Sequence, residues 1–66
     1  MIKVNDFSYP YIEGMTLMDA LMEADTDIHG PVHITLNGTF VAKTSYDITV
    51  LKDGDEILAM RVVSGG

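Results

Sequence analysis

The sequence predicts an α+β fold: a mixed sheet of four to five strands with one main helix across one face. Three observations carry this. Two tight-turn signals, Asn5-Asp6 and Asn37-Gly38, each join a pair of short apolar-alternating runs. A single stretch, Leu17 to Ala24, has helical apolar spacing behind a capping residue. The chain closes on its longest apolar run, Glu56 to Val63.

Met1-Ile2-Lys3-Val4 alternates like a short strand, and Asn5-Asp6 turns it back. Phe7 to Ile12 is aromatic and extended, and Pro10 within it has no N–H to give a ladder, which assigns this second strand to a sheet edge. Glu13-Gly14 ends it. Thr16 is placed to cap a helix, with Asp19 three residues on as a shorter version of the usual capping-box glutamate. Leu17, Met18, Ala20, Leu21, Met22 and Ala24 form a broad apolar stripe centred on Leu17, Leu21 and Ala24, while Asp19, Glu23 and Asp25 fall elsewhere. The methionines read as core filler against a sheet. The helix is expected to end near Asp25.

Val32 to Leu36 alternates with period two, Asn37-Gly38 turns, and Thr39 to Lys43 returns antiparallel. Thr44 to Asp47 reads as a turn or one helical turn, and Lys52-Asp53-Gly54-Asp55 as another tight turn. The expected core is Ile2, Val4, Leu17, Leu21, Ile34 and Leu36, with either Ile57 or Leu58.

A long apolar last strand needs neighbours on both sides, which places it centrally beside the first. Hairpin, helix, hairpin and central last strand make the β-grasp, or ubiquitin-like, arrangement. The organisation expected is a β-grasp domain over residues 1–63 and a flexible Ser-Gly-Gly tail over 64–66. Strand five is apolar in both phases, with Ile57, Ala59 and Val63 in one and Leu58, Met60 and Val62 in the other. One phase packs under the helix and the other is left partly open. A contiguous open apolar patch marks a contact surface, and a central strand that is merely hydrophobic is the competing explanation.

Sixty-six residues make one small domain, which buries only about 60% of its unfolded surface. The absence of cysteine removes disulfides, thiolate metal sites and thiol nucleophiles, so stability rests on the 47% of residues that are hydrophobic. A formal charge of −6 argues against nucleic acid and anionic membrane as partners and suits docking on a basic surface. No run approaches a membrane span and the first residues lack a secretory pattern, so the expected location is the cytoplasm.

Several constellations fail as sites. His29 and His33 have helical metal-ligand spacing, but Gly30-Pro31 between them forbids the helix. Asp25, Asp27 and His29 read as a solvated loop, and Asp53 to Glu56 lacks the ordered ligand spacing of a calcium loop. Ser45 has no histidine near it in sequence, and no glycine-rich phosphate loop is present. The chain is read as a non-enzyme that binds no metal or cofactor of its own. Ser64-Gly65-Gly66 is a slender backbone that spans about 10 Å when extended and ends in a carboxylate, long enough to thread into a partner's narrow active site, although taken alone it reads rather as a frayed end or the remnant of a tag.

Val4-Asn5, Gly14-Met15-Thr16-Leu17, Leu36-Asn37-Gly38, Leu51-Lys52-Asp53-Gly54-Asp55 and terminal Gly65-Gly66 occur in an order and spacing similar to the ThiS family. These are the small sulfur carriers of thiamine thiazole biosynthesis, within the ThiS/MoaD ubiquitin-like group. The resemblance runs nearly end to end. It departs at Ala42-Lys43 and Tyr46, where the family often carries Pro-Arg and a Trp. It implies that an E1-like adenylyltransferase, holding ATP and Mg, activates Gly66, and that a persulfide-bearing protein converts it to a thiocarboxylate. Thiazole synthase would then accept the sulfur. Gly65 lets the partner close around the backbone, Arg61 and Ser64 assist partner binding, and Leu58, Met60 and Val62 supply the docking patch. Carriers of the same group serve molybdopterin, cysteine, methionine and siderophore synthesis. A protein modifier forming isopeptide bonds and a passive β-grasp binding module remain the alternatives.

Overall fold

In the computed structural model, which describes residues 1–62, the chain runs β1 (Ile2–Val4), β2 (Phe7–Tyr9), α1 (Leu17–Glu23), β3 (Val32–Leu36), β4 (Thr39–Phe40), a 3₁₀ turn at Lys43–Ser45, and β5 (Glu56–Arg61). The five strands form one sheet in the order β2-β1-β5-β3-β4. β5 lies at the centre, parallel to β1 and antiparallel to β3. The division at residue 63 and the tail Ser64-Gly65-Gly66 lie outside the described residues.

Both hairpins turn where the asparagines place them. Asn5 and Asn37 have φ of 56° and 51°, and Gly38 follows at 87°. Positive φ at both Asn37 and Gly38 is what a two-residue turn needs to match strand twist. The two asparagine side chains do more than permit the turn, since both reach β5. The Asn5 Oδ1 accepts from the Ala59 N–H at 2.9 Å, and the Asn37 Oδ1 accepts from the Glu56 N–H at 2.9 Å. The central strand is thus held at both flanks by the turns of its neighbours.

α1 begins as expected. The Asp19 N–H donates to the Thr16 Oγ1 and the Thr16 N–H donates to the Asp19 Oδ2, a reciprocal capping box. It ends at Glu23, with Ala24 as C-cap and Asp25 at a positive φ of 55°. Leu17, Ala20 and Leu21 are fully buried, and Met18 and Ala24 are half-buried against them. Met22 corrects the expectation that the methionines fill the core: it is 69% exposed. One residue past Leu21 turns a side chain by about 100° on a helix, which is enough to leave the sheet.

Ile2, Val4, Ile34 and Ile57 complete the predicted core, with Ile57 chosen over Leu58. Leu36 is only half-buried, because it sits at the end of β3 beside the turn. The sequence reading did not single out Met15, Tyr46 and Leu51, which are buried as well. They come from connecting segments tied to α1. The Leu17 N–H donates to the Thr49 carbonyl, the Met18 N–H to the Tyr46 carbonyl, and the Leu51 N–H to the Met15 carbonyl. The segment after β4 therefore packs as a wall along the helix, and burial pushes the Tyr46 phenol above its ordinary 10.0.

Three strands are shorter than expected. β2 stops at Tyr9, where Pro10 removes the next donor. β4 stops at Phe40, and Val41 adds one further bond, to the Ile34 carbonyl, before Lys43 enters the 3₁₀ turn. β5 ends at Arg61, although the Val62 N–H still donates to the Pro31 carbonyl. Val63 lies outside the described residues.

Candidate functional site

β5 divides the molecule into two chemistries. Directly paired residues on neighbouring strands share a face. The registers Ile34↔Ala59 and Leu36↔Ile57 therefore set one face, and Val4↔Ile57 extends it onto β1. α1 covers that face. The opposite face carries His33↔Met60 and Thr35↔Leu58, then Thr35↔Phe40 on β4 and Lys3↔Glu56 on β1. No element covers it among the described residues.

Leu58 is 47% exposed, Met60 51%, Val62 48% and Phe40 57%. All four belong to the open side, Val62 by continuing the alternation of β5. The phase left undecided by the sequence is therefore Leu58, Met60 and Val62. Phe40 is a fourth member that sequence reading missed, and His33 lies against it with ring centroids 4.8 Å apart. A signal for Phe40 was present: the Asn37-Gly38 turn sets Thr35 opposite Phe40, so Phe40 shares the face of Thr35. What was missing was the pairing of β3 with β5, which aligns that face with Leu58.

Arg61 is not part of this patch. It pairs with Val32 in the phase of Ala59, on the helix side, where its guanidinium meets the Asp27 carboxylate at 3.8 Å. Both side chains are mostly exposed, so the pair contributes at most about 1 kcal/mol. Ser64, Gly65 and Gly66 lie outside the described residues, and in sequence they follow directly from β5 through Val62 and Val63.

The patch itself offers contact area rather than reactivity, since a thioether, aliphatic groups and a phenyl ring neither attack nor transfer protons at neutral pH. His29 sits in the loop after α1, where its N–H donates to the Asp27 Oδ1, while His33 is on β3, so the two histidines belong to different elements. Among the described residues no cluster of three or more His, Asp or Glu is placed to hold a metal ion. No helix among them is long and apolar enough to cross a membrane.

A mixed five-stranded sheet crossed by one helix, with parallel first and last strands flanking each other at its centre, defines a β-grasp protein of the ubiquitin-like type. The ThiS family profile matches residues 2–66, and the chain belongs to that family. A crystal structure of the thiamine biosynthesis protein (ThiS) from Geobacter metallireducens superposes with a TM-score of 0.78 at 24% identity, covering 98% of this chain and 97% of that one. At this identity the likeness shows the shared fold. No curated protein matches the sequence.

Proposed function

We propose that this chain is a sulfur carrier whose terminal Gly66 is activated as an acyl-adenylate and converted to a thiocarboxylate, with thiazole formation for thiamine as the receiving chemistry. The observation that carries the proposal is the family match across residues 2–66, which takes in the Gly65-Gly66 terminus as well as the folded domain. A carboxylate is a poor acyl donor because its leaving group would be oxide. Attack of the Gly66 carboxylate on the α-phosphate of ATP, held with Mg on an E1-like partner, releases pyrophosphate and installs AMP as a good leaving group. A persulfide sulfur on a partner protein then displaces AMP, and a thiol cleaves the resulting acyl disulfide to leave the thiocarboxylate. The persulfide must sit on a partner, because this chain has no cysteine. A carrier activated by ATP in this way would work in the cytoplasm.

The open face of β5 serves as the docking surface, since desolvated apolar and aromatic anchors dominate such contacts. Leu58, Met60, Val62 and Phe40 are the anchors. Gly65 leaves the backbone bare on all sides for the partner to enclose.

The terminus supplies the test. Deleting Gly66 keeps a carboxylate but sets it back by about 3.5 Å. That should abolish ATP–pyrophosphate exchange with the cognate E1-like enzyme, given that a displacement of about 1 Å from attack geometry can cost a hundredfold. One alanine added after Gly66 should fail equally. Intact mass of protein from its native cells should show one oxygen exchanged for sulfur. Equal exchange by all three chains would refute the carrier reading, and branched peptides on lysines would instead identify a protein modifier.

A further inference from the structure

The two long edges of β5 are not equally used. On the β3 side, pairing runs the whole length of the strand, from Leu36↔Ile57 to Val32↔Arg61. On the β1 side it covers only Lys3↔Glu56 and Val4↔Ile57, because β1 ends at Val4. Asn5 extends that side by one step: its N–H donates to the Ile57 carbonyl at 2.8 Å and its Oδ1 accepts from the Ala59 N–H. Beyond Asn5, no strand lies alongside among the described residues.

Alternation decides which groups this leaves open. Asp55, Ile57 and Ala59 direct backbone groups toward β1 and Asn5, whereas Glu56 and Val62 direct theirs toward the β3 side. The next residue in the first set is Arg61. The Ala59 carbonyl and the Arg61 N–H and carbonyl therefore face an empty edge, in the last two steps of strand before the chain leaves for its terminus. A cleft of about 280 Å³ opens beside them, lined by Asn5, Ala24, Asp25, Asp27, Ala59 and Arg61 among others. The outer edges of the sheet differ from this one: β2 is only three residues long and closed by Pro10, and β4 has two residues. Such short or proline-blocked edges resist strand addition, whereas a free ladder edge invites it.

We propose that this half-edge of β5 receives an extended strand from the activating partner, one that alternates basic and apolar side chains; the inference rests on the carrier function proposed above. The alternation follows from the two faces. Side chains pointing to the helix side of the added strand meet Asp25, which has no ion-pair partner among the described residues, and Asp27, shared with Arg61. Side chains pointing the other way join Met60 and Val62, half-exposed and apolar. Main-chain bonds to Ala59 and Arg61 supply alignment, and the pockets for alternate side chains supply selectivity. Strand addition at this point orients the final residues by backbone pairing, alongside the contacts that the apolar patch makes through Met60 and Val62.

Amide exchange of the isotope-labelled full-length chain, free and bound to the cognate E1-like enzyme, tests this, with pyrophosphate exchange run on the same samples. The Arg61 amide should exchange rapidly in the free chain and slow by about tenfold or more in the complex, as gain of one hydrogen bond requires. The Val62 amide, already bonded to Pro31, serves as the internal control. In parallel, Arg61→Pro, which removes the N–H at an edge that tolerates proline, should weaken docking by about tenfold relative to Arg61→Ala, which lacks the same guanidinium but keeps the N–H. If Arg61→Pro does not fold, the exchange measurement decides alone. Adenylation with an unprotected Arg61 amide overturns the strand-addition inference and leaves the carrier function standing. Absence of adenylation of the native chain removes both. Protection of Arg61 in the free chain that grows with protein concentration would overturn the inference by showing that a second copy takes the edge.

Discussion

Ile57 and Leu58 are adjacent on the same strand, chemically near-identical, and opposite in consequence. Ile57 is 2% exposed beneath the helix, while Leu58 is 47% exposed on the uncovered face. Nothing intrinsic to either residue sets this. The single helix covers one side of the sheet, and the pleat then assigns every second residue of β5 to the core and the rest to solvent. A small domain gains stability from the first set and loses some solubility to the second. Four half-exposed apolar side chains in one contiguous area fit the docking surface proposed above.

The sharpest way to break this comparison is to truncate both residues. Ile57→Ala should destabilise by about 2–5 kcal/mol, as should Leu21→Ala across the core from it, a large share of what a domain of this size has. Leu58→Ala should stay within about 0.5 kcal/mol by urea titration. Equal losses at the two positions would mean that the open face is covered in the free protein.

Docking should invert the order. Leu58→Asp or Met60→Asp should leave the melting transition nearly in place and weaken binding to the activating enzyme by about 2 kcal/mol, the size of an anchor's loss. Phe40→Ala should behave like them despite lying on another strand. Calorimetric titration showing unchanged affinity in all three variants would reduce the patch to the back of a central strand.

A smaller effect separates the two hairpin turns from generic ones. Asn5→Gly preserves the positive φ but removes the bond to the Ala59 N–H, and should cost about 1 kcal/mol. A neutral result would make the clamp dispensable.

The least effect concerns pH. The Tyr46 phenol titrates higher in the folded chain than in the unfolded one because burial disfavours its anion. Its contribution is therefore fully present below pH 10, its unfolded value, and is lost as pH rises through the folded value. Tyr46→Phe should flatten the decline of stability above pH 10, seen in denaturant midpoints collected from pH 8 to 11. An unaltered slope would assign that decline to other groups.

Much of this architecture was legible because it is written in local chemistry. The turns at Asn5 and Asn37-Gly38, the capping box of Thr16 and Asp19, and the apolar spacing of Leu17, Ala20 and Leu21 depend on residues within four positions of one another. The element order then left few ways to bury one helix stripe, and the family resemblance followed from the same landmarks. Three matters depended on contacts distant in sequence. Which phase of β5 is covered was decided by the helix and its pairing with β1 and β3, since Ile57 and Leu58 carry the same hydrophobicity. Phe40 joined the patch, and Arg61 was set beside Asp27 on the helix side, only once β3 aligned against β5. Met15, Tyr46 and Leu51 entered the core because the segment after β4 hydrogen-bonds along α1, a path no periodicity records. Local bonding determines the elements, and the sheet order that decides their neighbours is a sum over long-range burial, which a linear pattern of similar apolar residues does not distinguish.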